Sequence, residues 1–102
     1  MRLSTHVLDT VKGRPAAGVR VALRFDGELI GETTTNTDGR ALLTESLNKG
    51  VYELIFSIGE YYGRSTDFLG DVVVRFGVSD PTANYHVPLL VSPYGYSTYR
   101  GS

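Results

Sequence analysis

The chain has 102 residues and balanced charge, with 10 lysines and arginines against 11 aspartates and glutamates. This length suits one small domain, and the scattered charge leaves no basic surface of the kind that binds nucleic acid or an acidic membrane. The absence of cysteine excludes disulfides, thiolate chemistry and cysteine-ligated metals.

No stretch of the sequence approaches the roughly 20 consecutive apolar residues of a membrane-spanning helix. Residues 1–6 contain no apolar core of signal-peptide length. We expect a cytoplasmic protein that contacts neither membrane nor nucleic acid; the alternative of an exported protein whose signal has been cleaved stays open.

Alternation of apolar and polar residues predicts strands along the first third of the chain. The first strand covers residues 3–9 and is followed by a turn at 12–15. A second strand covers 19–25, and Asp26-Gly27 after it is a hairpin signal, because a type I′ turn needs positive φ. The return strand, 28–35, alternates less cleanly, so its register stays open.

The rest of the chain alternates in the same way after a turn at 36–39. The further predicted strands are 40–44, 51–56, 72–78, 85–91 and a short one after a turn at 92–95. Residues 59–70 show no strand pattern, and a short helix is predicted to start at Glu60. Eight strands separated by turns at this spacing are typical of a β-sandwich or barrel.

The first strand, the strand at 85–91 and the last strand carry apolar or aromatic residues on both faces: Val7 opposite Leu8, Leu89 opposite Leu90, and Tyr99 opposite Thr98. An isolated antiparallel sandwich has one solvated face per sheet, so a second subunit is expected to cover the other face. Pro88 has no N–H to donate to a neighbouring strand, and a bulge or an edge position is predicted there.

Strand periodicity places three chemically useful side chains, His6, Arg40 and His86, away from the core of the subunit. Histidine transfers protons near neutral pH, and arginine can hold a carbonyl or a developing oxyanion. Together they would make a hydrolytic site if their strands are neighbours. The alternative is that both histidines are ordinary exposed strand residues, because periodicity does not show which strands are adjacent.

Other catalytic arrangements have weaker support in the sequence. Two histidines need a third ligand to bind zinc, and a nearby arginine repels a cation, so no metal site is expected. No Gly-x-Ser-x-Gly nucleophile motif is present. The closing residues 99–102 are either a fixed structural part with a carboxylate available as a ligand or the loose polar tip of a last strand.

Several segments of the chain resemble one known family. They are LSTHVLD at 3–9, GRPA at 13–16, TDGR at 37–40, YHVPLL at 85–90 and SPYGYSTYRGS at 92–102. The chain is similar to the transthyretin-related proteins and in particular to their 5-hydroxyisourate hydrolase branch. In that branch a terminal Tyr-Arg-Gly-Ser distinguishes the hydrolases from the thyroid-hormone carriers of the same fold.

The resemblance implies an all-β, transthyretin-like (prealbumin-like) sandwich of two four-stranded sheets with one short helix, forming a single domain over residues 1–102. It also implies a homotetramer, a dimer of dimers, with active sites in the channel between dimers. The implied catalytic residues are His6, Arg40, His86 and Ser102, and the implied substrate-binding residues are Tyr99, Arg100, Gly101, Leu90 and Pro88.

The reaction that the resemblance implies is hydrolytic opening of the six-membered ring of 5-hydroxyisourate in urate degradation, without a cofactor. The product would be 2-oxo-4-hydroxy-4-carboxy-5-ureidoimidazoline. Two other functions are compatible with such a fold, because fold does not determine function. A carrier of small aromatic ligands would need a wide apolar channel, and a purely structural tetramer would give no reason for polar groups to converge.

Overall fold

The computed structural model describes residues 2–63 and 67–101. Within these residues the chain forms nine strands and one helix. They are β1 (Leu3–Asp9), β2 (Arg14–Pro15), β3 (Arg20–Phe25), β4 (Glu28–Thr34), β5 (Arg40–Thr44), β6 (Gly50–Phe56), α1 (Ile58–Tyr62), β7 (Val72–Val78), β8 (Tyr85–Ser92) and β9 (Gly95–Thr98). All eight predicted strands are present. No helix in this part of the chain is long and apolar enough to span a membrane.

The strands form two sheets. One has the order β5–β1–β8–β9, and the other has the order β4–β3–β6–β7. β1 and β8 run parallel, whereas the other paired strands run antiparallel. The predicted sandwich of two four-stranded sheets is therefore confirmed, with the two-residue β2 added to the first sheet beside β5.

The prediction of a simple turn at residues 12–15 is wrong for its last two residues. The N–H of Gly13 donates to the carbonyl oxygen of Asp9 at 2.8 Å, which reverses the chain. Arg14 and Pro15 then pair with the end of β1. β5 pairs only with the first part of β1. The same edge of β1 is therefore unpaired near its end, and this short strand pairs with it there.

The inward faces of the two sheets form one apolar core, and the predicted alternation is confirmed along the central strands. The fully buried side chains contributed by the strands include Leu3, Val7, Val21, Leu23, Tyr52, Leu54, Phe56, Val72, Val78, Leu89 and Val91. Burial of a side chain of this size contributes about 1.5–3 kcal/mol relative to exposure. The core therefore fixes which face of each strand points inward, and so which face is left for chemistry.

The hairpin between β3 and β4 has the predicted turn. Asp26 and Gly27 both have positive φ, 49° and 86°, as a type I′ turn requires. The register then shifts from Arg24–Leu29 to Leu23–Gly31, so Ile30 is an unpaired bulge residue. This extra residue explains why the sequence of the return strand does not alternate cleanly.

The helix α1 begins at Ile58, two residues before the predicted start at Glu60. Ile58 is completely buried and anchors the helix to the core. The helix ends at Tyr62 and is capped by Gly63, which adopts the left-handed conformation that favours glycine at this position.

Asp9, at the end of β1, connects this helix to the sheet that carries the histidines. Its buried carboxylate accepts hydrogen bonds from the hydroxyls of Tyr61 and Tyr62, each at 2.8 Å. It also accepts from the backbone N–H groups of Val11 and Lys12. Burial alone would raise the pKa of Asp9, but these four hydrogen bonds lower it below its ordinary value of 3.8.

Pro88 lies at a gap in the ladder between β8 and β9. The pairing of β8 with β1 runs past Pro88 without a shift, so the bulge is not observed. The pairing with β9 ends at Leu89–Thr98 and is followed by the isolated bridge His86–Gly101. The Thr98 hydroxyl donates to the Pro88 carbonyl oxygen at 2.7 Å. Pro88 therefore occupies a local edge, as predicted, and the chain beyond β9 keeps the same register across the gap.

Candidate active site

Three neighbouring strands, β5, β1 and β8, bring the two histidines and Arg40 together. His6 pairs with Arg40 across β1 and β5, and Ser4 pairs with His86 across β1 and β8. Side chains of paired residues project from the same face of a sheet. Because Leu3, Thr5 and Val7 fill the inward face of β1, this shared face is the outer one. The structure therefore supplies the strand adjacency that periodicity left open.

An open cleft of about 750 Å³ lies at the end of this sheet where β1 begins and reaches Thr33 and Thr34 of β4. Ser4, Arg40 and His86 line it, together with Arg2 and Asn84. Among the described residues that line the cleft, two are arginines and none is acidic. His6 lies beside the cleft, one outward-facing position further along β1 than Ser4. The cleft suits a polar ligand with carbonyl or anionic oxygens better than an apolar one.

The end of the chain reaches this site through Gly101. Its N–H donates to the carbonyl oxygen of His86 at 2.7 Å. A Cβ atom at position 101 would lie only 2.6 Å from Cδ2 of the His86 ring. The tail is thus packed against a predicted catalytic side chain. Ser102, also predicted to be catalytic, lies outside the described residues.

Arg100 points toward the segment before β8. Its guanidinium lies over the Tyr85 ring, 4.3 Å from the ring centroid, and donates to the carbonyl oxygen of Asn84 at 3.3 Å. A stacked arginine of this kind contributes about 0.5–1 kcal/mol at an exposed site. These contacts hold the tail beside β8 in addition to the bridge at Gly101.

The other three predicted substrate-binding residues have different surroundings. Tyr99 is 58% exposed and so is available to a ligand or to a second subunit. Leu90 lies half-buried on the same face as His86, and Pro88 between them is buried. The described residues therefore place Leu90 and Pro88 along the same outward row of β8.

His86 has an unusual electrostatic environment. Burial, the positive charge of Arg40 and the neighbouring His6 lower the pKa of His86 below its ordinary value of 6.5, and a hydrogen bond with the backbone of Ser4 opposes this change. The lowered pKa favours the neutral imidazole, which is the form able to accept a proton. A neutral imidazole beside a guanidinium is suited to proton transfer and to stabilising negative charge on oxygen.

Sequence reasoning did not single out Ser4. Its Oγ lies 2.9 Å from Nδ1 of His86, although 82 positions separate the two residues. Periodicity puts Ser4 on the same face as His6, which was the available signal. A serine in a strand has no sequence signature that marks it as functional. Its contact with His86 is seen only once the pairing of β1 with β8 is known.

Metal ligation has no support in the described residues. No group of three or more histidine, aspartate or glutamate side chains among them is placed to share an ion. The cationic Arg40 beside His6 also disfavours a bound cation.

The fold and the site together define a class: a small transthyretin-like sandwich whose outer sheet face carries two imidazoles and a guanidinium. The profile of the HIUase/Transthyretin family matches residues 3–101. The chain belongs to this family.

Relatives named 5-hydroxyisourate hydrolase match nearly the whole chain. The one from Pseudomonas aeruginosa is 49% identical, covering 99% of this chain and 91% of the relative. The one from Mesorhizobium japonicum is 50% identical, covering 99% of this chain and 92% of the relative. The chain is therefore similar to these hydrolases in amino-acid sequence along nearly its whole length, and not only in fold.

Solved structures show that this fold is shared by two kinds of protein. The structure of Klebsiella pneumoniae 5-hydroxyisourate hydrolase matches with a TM-score of 0.89 and 38% identity, covering 100% of both chains. Sea bream transthyretin in complex with thyroxine matches with a TM-score of 0.85 and 31% identity, covering 97% of this chain and 93% of transthyretin. The fold alone does not distinguish them, so the site carries the functional argument.

Proposed function

We propose that the protein is a 5-hydroxyisourate hydrolase, which opens the six-membered ring of its substrate with water in urate degradation. The observation that carries this proposal is the position of His6, Arg40 and His86 on one outer sheet face, beside a polar cleft. The curated relatives named for this activity support it. The function of carrying apolar ligands would not explain why these ionisable side chains lie together.

Each group has a role in a balanced hydrolysis. The histidine pair removes a proton from water, and the water oxygen bonds to the ring carbonyl carbon. Arg40 holds the carbonyl and the oxyanion that forms on it. The ring C–N bond then breaks as an imidazole returns a proton to the leaving nitrogen. The reaction changes no oxidation state, so proton transfer and charge stabilisation suffice and no cofactor is required.

The tail completes the site in this proposal. Tyr99 and Ser102 shape the floor of the pocket, and Arg100, Gly101, Leu90 and Pro88 complete its substrate-binding surface. Support comes from Gly101, which packs against the His86 ring, and from the interactions that hold Arg100 beside β8. The contacts of Arg100 favour an indirect contribution to substrate binding, in which Arg100 holds the tail beside β8.

We further propose a cytoplasmic homotetramer, a dimer of dimers, that binds neither nucleic acid nor membrane. Leu42 is 40% exposed on the outer face of β5, and Leu8 and Leu90 are half-buried on the same face of β1 and β8. Every side chain of β9, at the edge of this sheet, is exposed. Analytical sedimentation tests the assembly and should give a mass four times the 11.1 kDa of the single chain. Cell fractionation tests the cytoplasmic location.

The function is tested by following the absorbance of freshly generated 5-hydroxyisourate. We expect the wild-type protein to accelerate the decay strongly and the double variant His6→Ala/His86→Ala to leave it at the spontaneous rate. The control variant Arg24→Gln changes a residue on the outer face of the other sheet, away from the site. It should accelerate the decay as strongly as the wild-type protein does. Decay in wild-type protein no faster than the spontaneous reaction would favour a carrier.

A further inference from the structure

We propose that Ser4 is a positioning residue, which together with Gly101 holds the His86 imidazole so that Nε2 is the nitrogen presented to the reacting molecule. The orientation is a property of the fold, and its catalytic consequence rests on the function proposed above. Ser4 itself does not touch the reacting atoms in this proposal.

The contact between Ser4 and His86 follows from the pairing of two parallel strands. The two residues are register partners on β1 and β8, and their side chains leave the sheet on the same face. Ser4 Oγ lies 2.9 Å from His86 Nδ1, a normal hydrogen-bond distance. Both side chains are half-buried, so the bond is partly shielded from competing water.

Gly101 restrains the opposite edge of the same ring. An added Cβ at this position would lie 2.6 Å from Cδ2, 3.3 Å from Cγ and 3.4 Å from Cβ of His86. The backbone of Gly101 cannot easily retreat, because its N–H is bonded to the His86 carbonyl oxygen at 2.7 Å. Any larger residue would therefore turn the imidazole and stretch its bond to Ser4.

These two contacts occupy both ring atoms that flank Cγ, namely Nδ1 and Cδ2. The remaining atoms, Cε1 and Nε2, form the far edge of the ring. The side-chain hydrogen bond that the described residues make with the ring is at Nδ1, and in this proposal Nε2, on the far edge, is the nitrogen that water or substrate contacts.

The hydroxyl of Ser4 suits a histidine that changes protonation state. In a neutral imidazole the bond at one nitrogen determines which tautomer the other presents. A hydroxyl oxygen can accept a hydrogen bond. A neutral ring that can take up a proton at Nε2 carries its hydrogen on Nδ1, so Nδ1–H donates to Ser4 Oγ before and after the transfer and the ring need not rotate. This matters because a misplacement of about 1 Å can cost about 10²-fold in rate.

The test compares full-length Ser4→Ala with Ser4→Thr, which keeps the hydroxyl, and Ser4→Val, which has the shape of threonine without it. We expect Ser4→Ala and Ser4→Val to lower kcat by about 10–100-fold with little change in KM, and Ser4→Thr to restore most of it. Threonine and valine both suit a strand, so the pair separates the hydroxyl from packing. Equal activity of these two variants would overturn the proposal.

Nitrogen NMR of His86 provides a readout that does not depend on turnover. The chain has two histidines, so a His6→Gln background leaves His86 as the remaining histidine signal. In that background we expect one predominant tautomer with Ser4 intact or with Ser4→Thr, and a mixture with Ser4→Ala or Gly101→Ala. Unchanged nitrogen shifts in Ser4→Ala would refute the positioning role. A wild-type protein that fails to hydrolyse 5-hydroxyisourate but keeps one tautomer would refute the proposed function alone.

Discussion

His6 and Arg40 face each other across the antiparallel pair of β1 and β5, on the outer face of the sheet. The turn before β5 determines where Arg40 enters the sheet. The carbonyl oxygen of Gly39 accepts a hydrogen bond from the N–H of Val7 at 2.7 Å, and Asn36 Oδ1 accepts one from the N–H of Arg40 at 3.0 Å. The guanidinium is thus carried on a backbone that is bonded on both sides.

Replacing Arg40 by glutamine should remove the group that stabilises the oxyanion. We expect kcat/KM to fall by about 10²–10³-fold, the usual effect of losing one such donor. Steady-state kinetics on freshly generated substrate measures it. Arg24→Gln makes the same change of charge on the other sheet and should leave kcat/KM unchanged. Equal activity of the two variants would argue against a catalytic Arg40.

Replacing either histidine by alanine should keep the assembly and remove most of the activity. Loss of a positioned acid or base typically costs about 10²–10⁴-fold in rate. His6 and His86 are only half-buried and lie outside the core, so the fold should survive. Sedimentation and the decay assay measure the two properties together. If one variant turned over substrate at near the wild-type rate, the catalytic role of that histidine would be wrong.

The pKa of His86 should control the acid side of the pH profile. Because burial, Arg40 and His6 lower this pKa below 6.5, we expect activity to fall only at a pH below 6.5. Between the lowered pKa and 6.5, native His86 binds fewer protons than unfolded His86, so this group makes the free energy of unfolding rise with pH in that window.

Proton NMR titration of His86 tests the cause of this shift. In Arg40→Gln the pKa of His86 should rise toward 6.5, because one positive neighbour is gone. Arg24→Gln is the matched control and should leave the titration of His86 in place. A His86 pKa at or above 6.5 in the wild-type protein would contradict the electrostatic account of the site.

Deleting residues 99–102 should abolish turnover while leaving the sandwich folded. The deletion removes the bridge from Gly101 to the His86 carbonyl and the stacking of Arg100 on Tyr85, and residues 99–101 contribute no side chain to the core. Circular dichroism and the decay assay on the truncated chain measure both properties. A fully active truncation would return these residues to the role of a loose polar tip.

Replacing Asp9 by alanine should destabilise the fold without touching the site. The change leaves the hydroxyl of Tyr61 without its acceptor, at a cost of about 1–3 kcal/mol for an unsatisfied group. The hydroxyl of Tyr62 keeps the carbonyl oxygen of Val91 as an acceptor, at 3.1 Å. Urea unfolding measures it, with the exposed Asp71→Ala as control. Because the pKa of Asp9 is lowered, its contribution is present above pH 3.8 and is lost as pH falls through the folded pKa. A variant as stable as Asp71→Ala would contradict this role.

The sequence by itself determined the local properties of the fold. Alternation in Leu3–Asp9 and Tyr85–Ser92 predicted the inward faces correctly, because the period of a strand is a property of a few consecutive residues. The Asp26-Gly27 turn was equally readable, because positive φ at both positions restricts residue choice locally. The same periodicity placed His6, Arg40 and His86 away from the core.

Only the tertiary structure decided which of these residues are neighbours. The parallel pairing of β1 with β8 joins Ser4 to His86 across 82 positions, and the bridge at Gly101 brings the tail to the same imidazole. The sequence likewise did not predict the bulge at Ile30 or the short pairing of Arg14 with the end of β1. Such pairings depend on backbone hydrogen bonds between distant segments, which any strand sequence can make, so no local pattern specifies them.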